Sequence, residues 1–75
     1  MNLNNLKIGQ EATIIHCNDG KLPLKLMEMG CVTGERIFFI GKAPFGTPYY
    51  YKIGDTRIAL GIEIVNEIEV DLLDG

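Results

Sequence analysis

Five side chains in the first half of the sequence carry donor atoms that suit a soft metal ion: His16, Cys17, Met27, Met29 and Cys31. Their spacing argues against such a site. Tetrahedral sites announce themselves by short repeats such as C-x-x-C or H-x-x-x-H, and the chain has neither. Without an ion, the methionines serve as core filler and the cysteines as small apolar residues. Nucleophilic catalysis is equally poorly equipped, because the chain has no serine and one histidine. His16 and Cys17 are neighbours in a strand-like stretch, so alternation sends them to opposite faces and they do not pair as base and nucleophile. The segment PFGTP lacks the second glycine and the lysine of a phosphate-binding loop. Glu63, Glu67, Glu69, Asp71 and Asp74 gather near the C-terminal end, where they read as a solvated strand face with only weak attraction for a hard cation. The run Tyr49-Tyr50-Tyr51 is a faint peptide-groove signal, since alternation turns two of the three inward and there is no Trp. None of these patterns describes an enzyme, a cofactor site or a resident metal.

The elements that must hold these residues are few. Seventy-five residues make a single domain, 1–75, and a domain of that size buries roughly 60% of the surface its unfolded chain exposes. Apolar residues form 47% of the chain and charged ones 23%, which suits a globular domain and argues against disorder. A net charge of -3 opposes general binding to nucleic-acid phosphates, which needs clustered Lys and Arg. No apolar run approaches the ~20 residues that span a bilayer, and the N-terminal residues lack the basic and apolar regions of a signal peptide. The expectation is a cytosolic protein, with Cys17 and Cys31 as buried thiols and no disulfide.

Leu3, Leu6 and Ile8 lead in to Gly9, after which Glu11 to Cys17 alternates as a strand, with Ala12, Ile14 and His16 on one face and Thr13, Ile15 and Cys17 on the other. Asn18-Asp19-Gly20 reads as a turn. Pro23 and Gly30 bound a helix of about two turns, Pro23 to Met29. Its apolar stripe is Leu22, Leu26 and Met29 with Met27 at the edge; Lys21, Lys25 and Glu28 lie opposite, and Leu24 falls on the wet side beside Glu28. A strand from Glu35 to Ile40 turns Ile37 and Phe39 one way and Phe38 and Ile40 the other, with a bulge expected at Gly41. KAPFGTPY forms an ordered loop. Tyr49, Tyr51 and Ile53 point inward, and Tyr50 and Lys52 outward; Gly54-Asp55 closes a hairpin into Thr56 to Leu60, where Ile58 and Leu60 point inward. GIEIVNEI has room for one helical turn, and Glu67 to Leu72 forms a last strand with Ile68, Val70 and Leu72 inward. About five short strands with one helical insertion make a mostly β, strongly bent small barrel.

The pattern LxxLxxGxxATI, then KLMEMGCVTGERI, APFGTPYYYKI, TRIAL and IEV, resembles the FeoA family of ferrous iron transport proteins from about Leu3 to Val70. The most specific matches are Leu26 to Gly30 with Gly34, and Ala43 to Pro48. The resemblance implies an SH3-like β-barrel with a helical insertion. It also implies a cytosolic accessory role: binding the cytoplasmic G-protein domain of the FeoB permease and modulating ferrous iron uptake, with the membrane reached only through that partner. Exposed residues of the helix and loop, Leu24, Lys25, Glu28, Phe45 and Tyr50, are the expected partner-binding set. A related SH3-like domain ends iron-dependent repressors, but the chain has no helix-turn-helix. Departures from the family fall at Gly61 and Leu24, where a basic residue is usual, at Phe38, Ile62 and Ile64, where polar residues are usual, and at Thr47 in place of Asp. Two other readings stand beside this one: a regulator that binds a transition metal through His16, Cys17 and Cys31, and a homo-oligomer joined through Phe38, Ile40, Ile62 and Ile64.

Overall fold

The computed structural model describes residues 1–73 except Asp19 and Lys21. The turn expected at Asn18-Asp19-Gly20 and the positions of Lys21 and Asp74 therefore lie, wholly or in part, outside the described residues. In chain order the elements are a 3-10 turn (Leu3–Asn5), β1 (Glu11–Cys17), α1 (Leu24–Glu28), β2 (Arg36–Lys42), β3 (Tyr49–Ile53), β4 (Thr56–Leu60), α2 (Ile62–Val65) and β5 (Ile68–Leu72). The strands form one antiparallel sheet in the order β4-β3-β2-β1-β5. Its inner face closes on one core of Leu3, Leu6, Ala12, Ile14, Cys17, Leu22, Cys31, Ile37, Phe39, Tyr51, Ile53, Ile58, Leu60, Val65, Ile68 and Val70. The barrel expected from the sequence is present as a curled sheet whose ladder stays open between its edge strands β4 and β5.

Alternation accounts for most of the core. Ile37 and Phe39 of β2, Tyr51 and Ile53 of β3, and Ile58 and Leu60 of β4 are all buried, while Phe38, Tyr50 and Lys52 are exposed. Phe39 stacks on Tyr51, its register partner, at 4.9 Å between ring centroids, and on Tyr49 at 5.8 Å. The bulge expected at Gly41 appears as a register shift between Phe39 and Gly41. Gly54-Asp55 is a two-residue hairpin loop closed by the pair Ile53 and Thr56. Gly54 has φ 58 and Asp55 does not have positive φ, which makes the turn type II′ and explains the glycine at its first central position.

Strand β1 departs from the sequence reading. The ladder with β5 slips between Ile14 and His16, so Ile15 is an extra residue and the phase of the strand reverses. Cys17 joins Ala12 and Ile14 in the core, and His16 turns outward with Ile15. Leu72 is the second departure: it lies at the far end of an edge strand and is 37% exposed, although Ile68 and Val70 before it are fully buried. Ile8 is exposed as well, while Leu3 and Leu6 anchor the N-terminal segment in the core. That segment also covers the outer edge of β5, where Met1 N donates to Val70 O at 2.8 Å and Val70 N to Met1 O at 2.7 Å.

Helix α1 is slightly shorter than the span from Pro23 to Met29, because those two residues are its caps. At its C-terminal end Gly30 N donates to Met27 O (3.1 Å) and Cys31 N to Leu26 O (3.0 Å), the paired bonds of a Schellman motif. Gly30 takes φ 99 there, as the left-handed position of that motif requires. The motif turns the chain so that Cys31 enters the core directly after the helix.

Candidate functional site: the exposed helix and the outer sheet

The donor atoms of the first half do not converge. Cys17 and Cys31 are buried together, with Cys17 Sγ 4.0 Å from the carbonyl oxygen of Cys31, and they are not joined in a disulfide. Burial pushes the Cys31 thiol from its ordinary 9.0 up to about 12, and the neighbouring Cys17 adds to the rise through its charge and its hydrogen bond. A thiol that keeps its proton so firmly is a poor nucleophile and a poor ligand. His16, turned out by the bulge, lies on the opposite face from both sulfurs. Among the described residues no group of three His, Cys, Asp or Glu side chains is placed to hold an ion. The residues present therefore do not fit a transition-metal centre at this point, and Glu63, Glu67, Glu69 and Asp71 do not gather around a common point either.

The five expected partner-binding residues are all exposed, and they form two patches. Leu24, 69% exposed, shares the solvent side of α1 with Lys25 and Glu28, while Leu26, Met27 and Met29 pack that helix onto the core. The C-terminal end of α1 rests beside Ile53, at the hairpin end of β3; a Cβ on Gly30 would lie 3.3 Å from Ile53 Cγ2. Phe45, 97% exposed, tips the loop at the other end of β3, where Ala43 N donates to Pro48 O at 3.0 Å and Gly46 N to Ala43 O at 2.9 Å. Tyr50 lies next to that loop on the outer face, opposite Gly41 and Ala59. About 13 Å of strand separates the two ends of β3.

A third feature was not legible in the sequence. The register aligns Glu11, Phe38, Lys52 and Arg57 in one row across the outer face of β1, β2, β3 and β4. Phe38 lies in a surface groove of about 630 Å³ that is also lined by Glu11, Glu35, Arg36 and Lys52. Parity along each strand marks these residues as outward-facing; only strand pairing tells which of them are neighbours. Ile40 is exposed on the same strand, whereas Ile62 and Ile64 are half-buried against the core. The apolar surface expected from all four residues is therefore confined to Phe38 and Ile40.

A curled five-stranded antiparallel sheet with two short helices and a 3-10 turn at its ends and crossings is the architecture of an SH3-like domain. The chain belongs to the FeoA domain family, whose model matches residues 1–72. It is 35% identical over 76 residues to an Fe(2+) transport protein A/Fe(2+) transporter FeoB fusion protein of Porphyromonas gingivalis; the match covers 100% of this chain and 9% of that protein. Among solved structures it is similar to iron(II) transport protein A from Clostridium thermocellum, with 34% identity and a TM-score of 0.83 over 97% of this chain and 46% of that one. It is also similar to FeoA of Stenotrophomonas maltophilia, described as an SH3 domain protein complexed with zinc, with 32% identity and a TM-score of 0.74 over 95% and 89%. A manganese-dependent transcriptional repressor shares the fold at 18% identity and a TM-score of 0.82. The chain thus spans a small part of the fusion protein and about half of the Clostridium thermocellum chain. Among the described residues no helix is long and apolar enough to cross a membrane.

Proposed function

We propose that the chain is a non-enzymatic accessory module of ferrous iron uptake that binds the cytosolic G-protein domain of a FeoB-type permease and modulates transport from the cytoplasmic side. The observation that carries this reading is the fusion relative, in which a segment matching the whole of this chain is covalently joined to an FeoB transporter. Covalent joining holds two folded units at high effective concentration, which serves units that act on one another. The surface of α1 supports the same reading. Leu24 leaves a large apolar side chain in water beside Glu28 and Lys25, and an apolar patch with polar residues at its rim has the make-up of a partner contact. Ferrous iron is cargo of the permease in this scheme, and the chain supplies no ligand to it.

The test is a pull-down of purified chain with a FeoB cytosolic domain, using Leu24→Asp beside the native sequence. Leu24 is exposed, so the variant keeps its stability within about 0.5 kcal/mol. Binding weakened about tenfold or more supports the helix as anchor. Unchanged binding removes α1 from the interface, and no binding by the native chain overturns the partnership.

A further inference from the structure

Strand β4 ends the sheet, with β3 as its ladder partner and none on its other side among the described residues. The two-residue hairpin makes Ile53 and Thr56 the first hydrogen-bonded pair, so the bonded pairs are Ile53/Thr56, Tyr51/Ile58 and Tyr49/Leu60. The backbone N–H and C=O of Arg57 and Ala59 then point away from β3. No backbone group of another described segment meets them. The other edge is treated differently, since Met1 and Asn2 cover β5.

Charge is also divided along the sheet. Although the chain as a whole is acidic, Arg57 on β4, Lys52 opposite it on β3 and Arg36 on β2 are exposed, and among the described residues none has a carboxylate within ion-pair distance. Glu63, Glu67, Glu69 and Asp71 belong to α2, the turn after it and β5, and Glu11 and Glu35 lie on the β1 and β2 side of the row; Asp55, in the hairpin loop, is the carboxylate closest in sequence to Arg57. An open strand edge accepts one kind of occupant, an extended backbone, and the flanking cations choose its side chains. A second β4 paired two-fold about Arg57 would set that residue against its own copy, which like-charge repulsion opposes.

We propose that the free edge of β4 is a docking site for an extended acidic segment of a partner protein, which adds to the sheet as a sixth strand by bonding the main chain of Arg57 and Ala59 and pairing its carboxylates with Arg57 and Lys52. This site is separate from the α1 surface and is tested without the permease.

The experiment uses the whole chain, labelled with nitrogen-15, and two capped heptapeptides: one alternates Glu and Val, the other Lys and Val. With the glutamate peptide at millimolar concentration, the Arg57 and Ala59 amides shift and exchange with solvent about tenfold more slowly, while the lysine peptide leaves them unchanged. Ala59→Pro removes an N–H that faces solvent and is tolerated on an edge strand, so this variant folds and loses the protection. Arg57→Glu weakens the glutamate peptide and favours the lysine one, which guards against a folding failure of the proline variant. Equal response to both peptides, no response at Arg57 and Ala59, or concentration-dependent shifts of these amides in the chain alone would each overturn the proposal; the last makes a second copy the occupant.

Discussion

The Tyr51 ring fills the centre of the sheet against Phe39, but its hydroxyl is buried without a hydrogen-bond partner among the described residues. Burial, with Tyr49 nearby, pushes the phenol well above the usual tyrosine range. An unpaired buried hydroxyl costs desolvation with no bond in return, so Tyr51→Phe should match or exceed the native stability by about 1 kcal/mol in urea unfolding. A loss of that size would mean that the hydroxyl has a partner. Cys31 leads to a pH prediction. The unfolded thiol releases its proton near 9.0, while the folded one holds it to about 12. Between these values the unfolded chain binds fewer protons, so stability falls as pH rises, by up to ~1.4 kcal/mol per unit, and is fully present below that window. Thermal melts of Cys31→Ala from pH 8 to 11 should show a shallower alkaline decline than the native chain. At this scale the sequence was partly legible: alternation alone assigns Phe39 and Tyr51, but it misplaces His16 and Cys17, because the bulge that exchanges them depends on the register with β5.

Among the elements, α1 depends on its last turn. Gly30 adopts φ 99 and has Ile53 Cγ2 within 3.3 Å of where a Cβ would be built. Gly30→Ala meets both backbone strain and a tight contact, and should cost about 2 kcal/mol by urea unfolding with the fold retained. An unchanged midpoint would show that the motif relaxes without cost. This helix was readable from Pro23 and Gly30 because both act on the backbone of their own segment, through a fixed φ and a permitted positive one. The two-residue hairpin at Gly54-Asp55 was readable for the same reason, while its II′ type follows from the backbone angles of the folded chain. Leu72 was misread because alternation reports which side a residue faces and says nothing of where the core ends.

The whole molecule is stapled by its first residues. Leu3 is completely buried, and Met1 and Asn2 cover the β5 edge. Leu3→Ala should therefore cost about 3 kcal/mol. In a domain this small that lowers the melting midpoint by about 15 °C, measurable by circular dichroism. A shift of only a few degrees would show that the N-terminal segment adds little to the core. Strand count, helix position, the buried set of β2 to β4 and the family were determined by the sequence itself, since they follow from local backbone preferences, period-two alternation and matched motifs. The tertiary structure alone decided the reversed phase at Cys17, the separation of the Leu24 and Phe45 patches, the row from Glu11 to Arg57 and the open edge of β4. Those depend on which strands lie side by side and in what register, a relation between distant residues that no single stretch of chain encodes.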